Sequence, residues 1–301
     1  MWGQYGVDFF FVLSGFIIFH VHHDALAGAV GDRLAAARLY AFKRLARIYV
    51  PYLPVALGWM ALLMIFQSGS TDDRSWSILA TLTLAPMPED SALAVEWSLT
   101  YELIFYTFFG LAFFSRRLLL GASLFWCGWL LAVLGNMVPV SANPVVAALS
   151  NPIILEFFCG ALAALALPKL GASWRPAVAV VGFFGLFAVM LNWSGQRVFV
   201  GPPLALIVLA AAMNTSQTSK GHRVLDWLAF LGAASYAIYL VHSPVVSILA
   251  EVLQPLENRL VTFAACVLVG TALGVLYHLL FERRALRGAQ RFRPIQLGAR
   301  A

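Results

Sequence analysis

Apolar residues along this chain come in long runs, not in the alternating pattern of a half-buried strand or the one-faced pattern of a surface helix. Runs near 5–21, 50–67, 96–114, 118–138, 147–167, 174–192, 197–214, 228–250 and 260–281 are separated by short polar stretches. A hydrocarbon layer about 30 Å thick needs about 20 apolar residues as helix. The spacing therefore predicts nine membrane spans. The segment 75–87 is apolar but short, and is predicted to lie at the interface. No Ser/Gly-rich linker, charge block or internal repeat divides the sequence, so residues 1–301 read as one domain with a basic tail over 285–301. The predicted fold class is all-α: a polytopic transmembrane helical bundle.

Composition agrees with that pattern and narrows it. The chain is 61% hydrophobic and 11% charged, with a mean hydropathy of +0.82. Soluble domains run at about 45–50% apolar and about 25% charged. A soluble core of this length cannot absorb the surplus, so soluble enzymes, disordered tails and disulfide scaffolds are excluded. Cys127, Cys159 and Cys266 all fall inside apolar runs and read as small core residues.

The net charge of +6 matters through its placement. Of 20 Lys and Arg, 17 fall in or beside the segments 22–49, 115–117, 168–173, 215–227 and 282–301; Arg74, Arg197 and Arg259 alone lie in the alternate loops. The positive-inside rule puts the 17 in the cytoplasm, and with them the C-terminus. With nine spans the N-terminus then falls outside, although residues 1–6 carry no signal peptide. An even number of spans would start the chain in the cytoplasm, so one further N-terminal helix is expected.

Four polar constellations interrupt the apolar runs. Gly6-Val7-Asp8-Phe9-Phe10-Phe11-Val12-Leu13-Ser14-Gly15-Phe16 opens the first span. An acid there must be paired or wetted, and Ser14 and Gly15 are small enough to let another helix approach closely. The alternatives are a helix-packing seam or the lining of a polar path. In Lys43-Arg44-Leu45-Ala46-Arg47-Ile48-Tyr49-Val50-Pro51-Tyr52, Arg44 and Arg47 stand at i,i+3 and share one helix face. Their forked donors suit phosphate; the alternative is a cytoplasmic anchor.

Glu96-Trp97-Ser98-Leu99-Thr100-Tyr101-Glu102 carries an acid about one and a half turns into a span. Glu102 reads as a cavity-lining functional group or as half of a structural ion pair, and Glu156 poses the same question. Ser235-Tyr236-Ala237-Ile238-Tyr239-Leu240-Val241-His242-Ser243-Pro244 places His242 mid-span, beside a proline able to break the helix ladder and open a polar pocket. His242 is otherwise a helix-packing donor. His20, His22 and His23 do not suggest a metal site, because adjacent side chains leave a helix on different faces.

In order and spacing, these stretches resemble the acyltransferase-3 family of integral-membrane O-acyltransferases. GVDFFFVLSGFII is similar to its phenylalanine-rich LSGF signature. RLARIYVPY resembles its RxxRIYP segment, with Val50 displacing the proline by one place. EWSLTYELIFY resembles WSLxxExxFY, SYAIYLVHSPV resembles SYxxYLxHxP, and Glu282-Arg283 resembles the terminal E-R-(P), with Arg284 in place of proline.

The resemblance implies a ten-helix fold in a bacterial inner membrane. It also implies transfer of an acyl group, commonly acetyl, from cytoplasmic acyl-CoA to a hydroxyl of a polysaccharide or lipid-linked saccharide. The family's catalytic histidine sits on a first helix that has no counterpart here, so a ten-helix fold minus that helix is expected.

A hydroxyl attacking a thioester needs a base, and histidine is the usual choice. His242 is the expected base, with Glu102 orienting it. Arg44 and Arg47 are the expected donor-binding pair; Asp8, Ser14, Trp97, Ser98, Tyr236 and Tyr239 are the expected path-lining or motif residues. Acyl-CoA is expected as a substrate, with no bound cofactor, no metal and no nucleic-acid partner. The rival functions are a transporter or flippase, which also uses buried acids and broken helices, and a non-catalytic member of the family.

Overall fold

The computed structural model describes residues 5–27, 31–66, 76–191, 197–213 and 223–291. The Asp72–Arg74 loop, most of the segment before Arg223 and the tail after Arg291 lie outside the described residues, so the structure does not bear on expectations placed there. In chain order the helices are α1 (Tyr5–Val21), α2 (His23–Ala27), α3 (Arg33–Phe66), α4 (Ile78–Thr83), α5 (Glu96–Phe109), α6 (Arg116–Leu134) and α7 (Pro144–Leu149). They continue with α8 (Leu155–Ala166), α9 (Arg175–Leu191), α10 (Gly201–Ala212), α11 (Arg223–Val252), α12 (Arg259–Tyr277) and α13 (Arg283–Arg291). A π turn, His278–Glu282, joins α12 to α13 without a break.

Short polar residues set where the helices start. Ser77, Ser115, Asn143 and Asn258 accept bonds from first-turn amides that have no intrahelical partner. Pro144 follows its asparagine at a position where a missing N–H costs nothing.

Among the described residues, six helical stretches are long and apolar enough to cross a membrane: 33–65, 116–134, 144–169, 172–191, 224–252 and 259–289. Tyr5–Val21 and Arg197–Ala212 are shorter apolar helices. The predicted run 96–114 divides into α5 and a 3-10 turn at Gly110–Phe113. Outward side chains such as Leu124 (75% exposed) and Leu260 (81%) are apolar, as a hydrocarbon surrounding requires.

Three local details emerge in the structure. The run 50–67 is the second half of a 34-residue helix that begins at Arg33 and passes through Pro51 and Pro54, so Arg44 and Arg47 ride on the span itself. The run 147–167 falls within the apolar stretch 144–169, which is built of α7, ending at Leu149, a 3-10 turn capped by Asn151, and α8. Pro244 removes one bond from the helix ladder without ending its helix, and α11 continues over 30 residues.

The chain packs as two compact units, each discontinuous in sequence. The first comprises Met1–Ala37 and Tyr101–Gln217. In it α1 packs most extensively on α8, and α10 covers both and carries α9. The α1–α8 contact is backbone to backbone: a Cβ on Gly15 would overlap the Phe157 carbonyl, and one on Gly160 would overlap the Val12 carbonyl. Beside the seam Phe11, Phe157 and Phe105 stack with centroids 4.6 and 4.5 Å apart, all fully buried.

The second unit comprises Arg38–Thr100 and Thr218–Ala301. Its main contact is α11 on α12, with Gly270 facing His242 and Gly274 packed so closely that a Cβ added to it would fall 2.5 Å from the Cα of Ile238.

Candidate functional site

In the first unit the LSGF-like stretch brings Asp8 into the protein, where it is 0% exposed. Its Oδ1 accepts a 2.7 Å ion-pair bond from Nη2 of Arg197, which opens the 3-10 turn before α10. The first turn of α8 sets the Glu156 carboxyl beside Asp8, also at 0% exposure. Neither Glu156 oxygen has a hydrogen-bond donor among the described residues, and Oδ2 of Asp8 has none either. Two buried carboxyls therefore share one guanidinium. Ser14 is buried on α1, next to the glycine that lets α8 approach.

Glu102, 4% exposed on α5, accepts a short bond from the Tyr106 hydroxyl one turn on. The neighbouring Tyr101 hydroxyl accepts from Asn151 at 2.7 Å, tying α5 to the turn before α8.

In the second unit three motif stretches converge. The Arg44 guanidinium lies 5.7 Å from the ring centroid of Tyr40 on its own helix, and Arg47 lies 5.9 Å from that of Tyr236 on α11. Arginine over an aromatic face is an attractive arrangement that holds the guanidinium plane in a fixed orientation. Two tyrosine hydroxyls lock the helices to this stretch of α3. Tyr236 donates to the Ile48 carbonyl at 3.0 Å and Tyr277 to that of Pro51 at 2.7 Å.

The hydroxyls of Ser98 and Tyr239 are 2.6 Å apart, and both lie within reach of the Val95 carbonyl, at 3.0 and 3.3 Å, so that one hydroxyl donates to the other and the second to the carbonyl. Nδ1–H of His242 donates to the Tyr239 carbonyl at 2.5 Å, which leaves Nε2 as the nitrogen with a free lone pair. Trp97 is half-buried in the first turn of α5. Thr100 bonds the Leu84 carbonyl at 2.9 Å and the Glu96 carboxyl at 3.0 Å, while Tyr49 and Tyr52 reach the Thr83 and Thr81 carbonyls, so α3, α4 and the start of α5 are cross-linked.

The structure thus gathers Arg44, Arg47, Ser98, Tyr236, Tyr239 and His242 in one unit. Asp8, Ser14 and Glu102 belong to the other. Glu102 and His242, expected as partners, each hold a hydrogen bond inside their own unit.

Sequence reasoning missed two groups. Arg197 counted only as one of three basic residues on the sparse side, although a lone cation at the edge of an apolar run was itself a signal that an acid awaited it. The second group is His278, whose Nδ1 is 2.6 Å from Oε2 of Glu282, with 9% and 0% exposure. The H-x-x-x-E spacing inside an apolar run could have revealed it.

The sequence model described as the acyltransferase domain matches residues 1–279. The exopolysaccharide production protein ExoZ of Rhizobium meliloti (strain 1021) is 29% identical over 310 residues, which cover 95% of this chain and 90% of that protein. No solved structure matches. With the family pattern running through nearly every element described above, the chain belongs to the acyltransferase-3 family and is a membrane acyltransferase that transfers groups other than aminoacyl groups.

Proposed function

We propose that the protein transfers an acyl group, acetyl by preference, from cytoplasmic acyl-CoA to a hydroxyl of a cell-surface polysaccharide or a lipid-linked saccharide, within a bacterial inner membrane. The carrying observation is the pair Arg44 and Arg47, one turn apart on α3, with guanidiniums set over the Tyr40 and Tyr236 rings at the end of the helix rich in cations. Planar forks held in place suit the phosphates of the carrier. The relative ExoZ, named for exopolysaccharide production, supports a polysaccharide acceptor.

In this reading the acceptor oxygen attacks the thioester carbonyl carbon. Its proton passes to Nε2 of His242, whose other nitrogen is held by the Tyr239 carbonyl. As the C–O bond forms and the C–S bond breaks, the sulfur leaves as thiolate and takes the proton from His242. The Tyr239 ring lies 5.5 Å from that histidine's ring, and its hydroxyl is bonded to that of Ser98.

The test is acetyl transfer from labelled acetyl-CoA into polysaccharide by the purified chain and by His242→Gln. A general base commonly contributes about 10²–10⁴-fold. A loss of that size with unchanged acetyl-CoA binding supports the assignment; full activity removes His242 from the chemistry, and no transfer to any saccharide refutes the reading.

A further inference from the structure

The proposed chemistry makes no use of the buried acids of the first unit. Asp8 and Glu156 are both 0% exposed, and three of their four oxygens, Oδ2 of Asp8 and both of Glu156, are fully buried without a donor. The fourth, Oδ1 of Asp8, takes the 2.7 Å bond from Arg197. A hydrogen bond between two carboxyl groups needs a proton, and two ionised carboxylates offer none.

The backbone leaves the pair little room. Asp8 and Glu156 lie one turn before Val12 and Gly160, which meet backbone to backbone across the α1–α8 seam. On the other side stands Gly201, the first residue of α10. A Cβ there would fall 3.1 Å from Cγ of Glu156 and 3.5 Å from Sγ of Cys159.

The ionisable groups nearby are few. Tyr5 lies one turn earlier on α1, and Cys159 one turn on along α8. The Tyr101 ring meets that of Phe11, and its hydroxyl accepts from Asn151. The described part of α10 brings no ionisable side chain. Among the described residues, Arg197 is the cation that faces both acids.

Two carboxylates against one guanidinium leave a net negative charge in an apolar seam, which is strongly unfavourable. One proton removes that charge and supplies the missing donor. Asp8 holds the arginine and keeps its charge, so the proton belongs on Glu156, directed to Oδ2 of Asp8.

We infer that Asp8 and Glu156 hold a single proton between them, and that it acts as a pH-sensitive latch keeping α1 on α8. Its loss sets two like charges side by side across the seam. The proton leaves by the edge where the Arg197 side chain, 26% exposed, reaches the surface. The folded chain keeps a proton that the unfolded chain releases above the ordinary carboxylate range. The folding equilibrium therefore falls as pH rises, by up to about tenfold per pH unit, until the folded chain releases it too.

The experiment uses the full chain in detergent micelles, from about pH 5 to about pH 9. Infrared spectra follow the carboxylic-acid carbonyl band, marked by its shift in D2O. The unaltered chain minus Glu156→Gln should show one such band at neutral pH. Asp8→Asn removes the like charge, so in that chain the band should vanish at lower pH. Steric trapping should show the unaltered chain losing up to about tenfold per pH unit more than Glu156→Gln, whose amide supplies the donor at every pH.

A difference spectrum without the band overturns the inference and leaves both acids ionised beside Arg197. A band with the same pH range in Asp8→Asn overturns the sharing, since burial alone then holds the proton. Parallel pH profiles of unfolding for the unaltered chain and Glu156→Gln overturn the latch.

Discussion

Replacing Arg197 by glutamine removes the guanidinium that faces two buried carboxyl groups. Asp8 is 0% exposed and receives its 2.7 Å bond from that arginine, while Glu156 beside it is equally buried and has no donor among the described residues. Breaking a buried ion pair from one side costs about 3–5 kcal/mol, because the remaining charge keeps its desolvation penalty without its partner. The Arg197 side chain is 26% exposed, so part of its attraction is already screened and the lower end, about 3 kcal/mol, is expected. That is roughly a hundredfold change in the folding equilibrium.

Asp8→Asn removes the buried charge itself and leaves an arginine that can turn toward water, so about 1 kcal/mol is expected. The double variant is neutral at both positions and should be more stable than Arg197→Gln alone, with a coupling of about 2 kcal/mol. Equilibrium unfolding in micelles, read by steric trapping, measures all four chains. If Arg197→Gln costs less than about 0.5 kcal/mol, or the two losses simply add, the pair does not hold α1 to the turn before α10 and the reasoning fails.

Glu156→Gln should be neutral or stabilising by up to about 1 kcal/mol, since the amide supplies a donor to the unpartnered Oδ2 of Asp8; a large loss on unfolding would show that the acid itself is needed. Gly160→Ala places a methyl into the Val12 carbonyl, so α1 and α8 must separate; a loss of about 1–3 kcal/mol and a lower thermal midpoint in detergent are expected, against near neutrality at Gly128, where nothing lies within 4 Å of a Cβ. Arg44→Lys with Arg47→Lys keeps both charges and loses both forks, so acetyl-CoA affinity by calorimetry should fall; an unchanged value would leave the two residues as membrane anchors. A reporter fused after Arg300 should behave as cytoplasmic and one beside Asp72 as external, following the 17-to-3 split of basic residues.

Much of the architecture is local information and was readable from the chain alone. A hydrocarbon surrounding cannot satisfy a bare backbone, so each long apolar run has to become helix. The runs near 5–21, 118–138 and 174–192 match α1, α6 and α9 within a few residues. The small pair Ser14-Gly15 announced a close helix approach, and Gly15 lies on the Phe157 backbone.

Other features depend on neighbours. Pro51, Pro54 and Pro244 each remove an N–H from a helix ladder, but none ends its helix, and at α3 the Tyr236 and Tyr277 hydroxyls bond carbonyls beside the prolines. Which acid meets which cation was beyond reach for the same reason. Asp8 and Arg197 are 189 residues apart, and their meeting is set by the rotation and crossing of α1, α8 and α10. Hydropathy along a chain records how deep a residue lies in the membrane, not which direction it faces around its helix axis. Depth was therefore written in the sequence, and the pairing of Asp8 with Arg197, of His278 with Glu282 and of Arg47 with Tyr236 was decided only by packing.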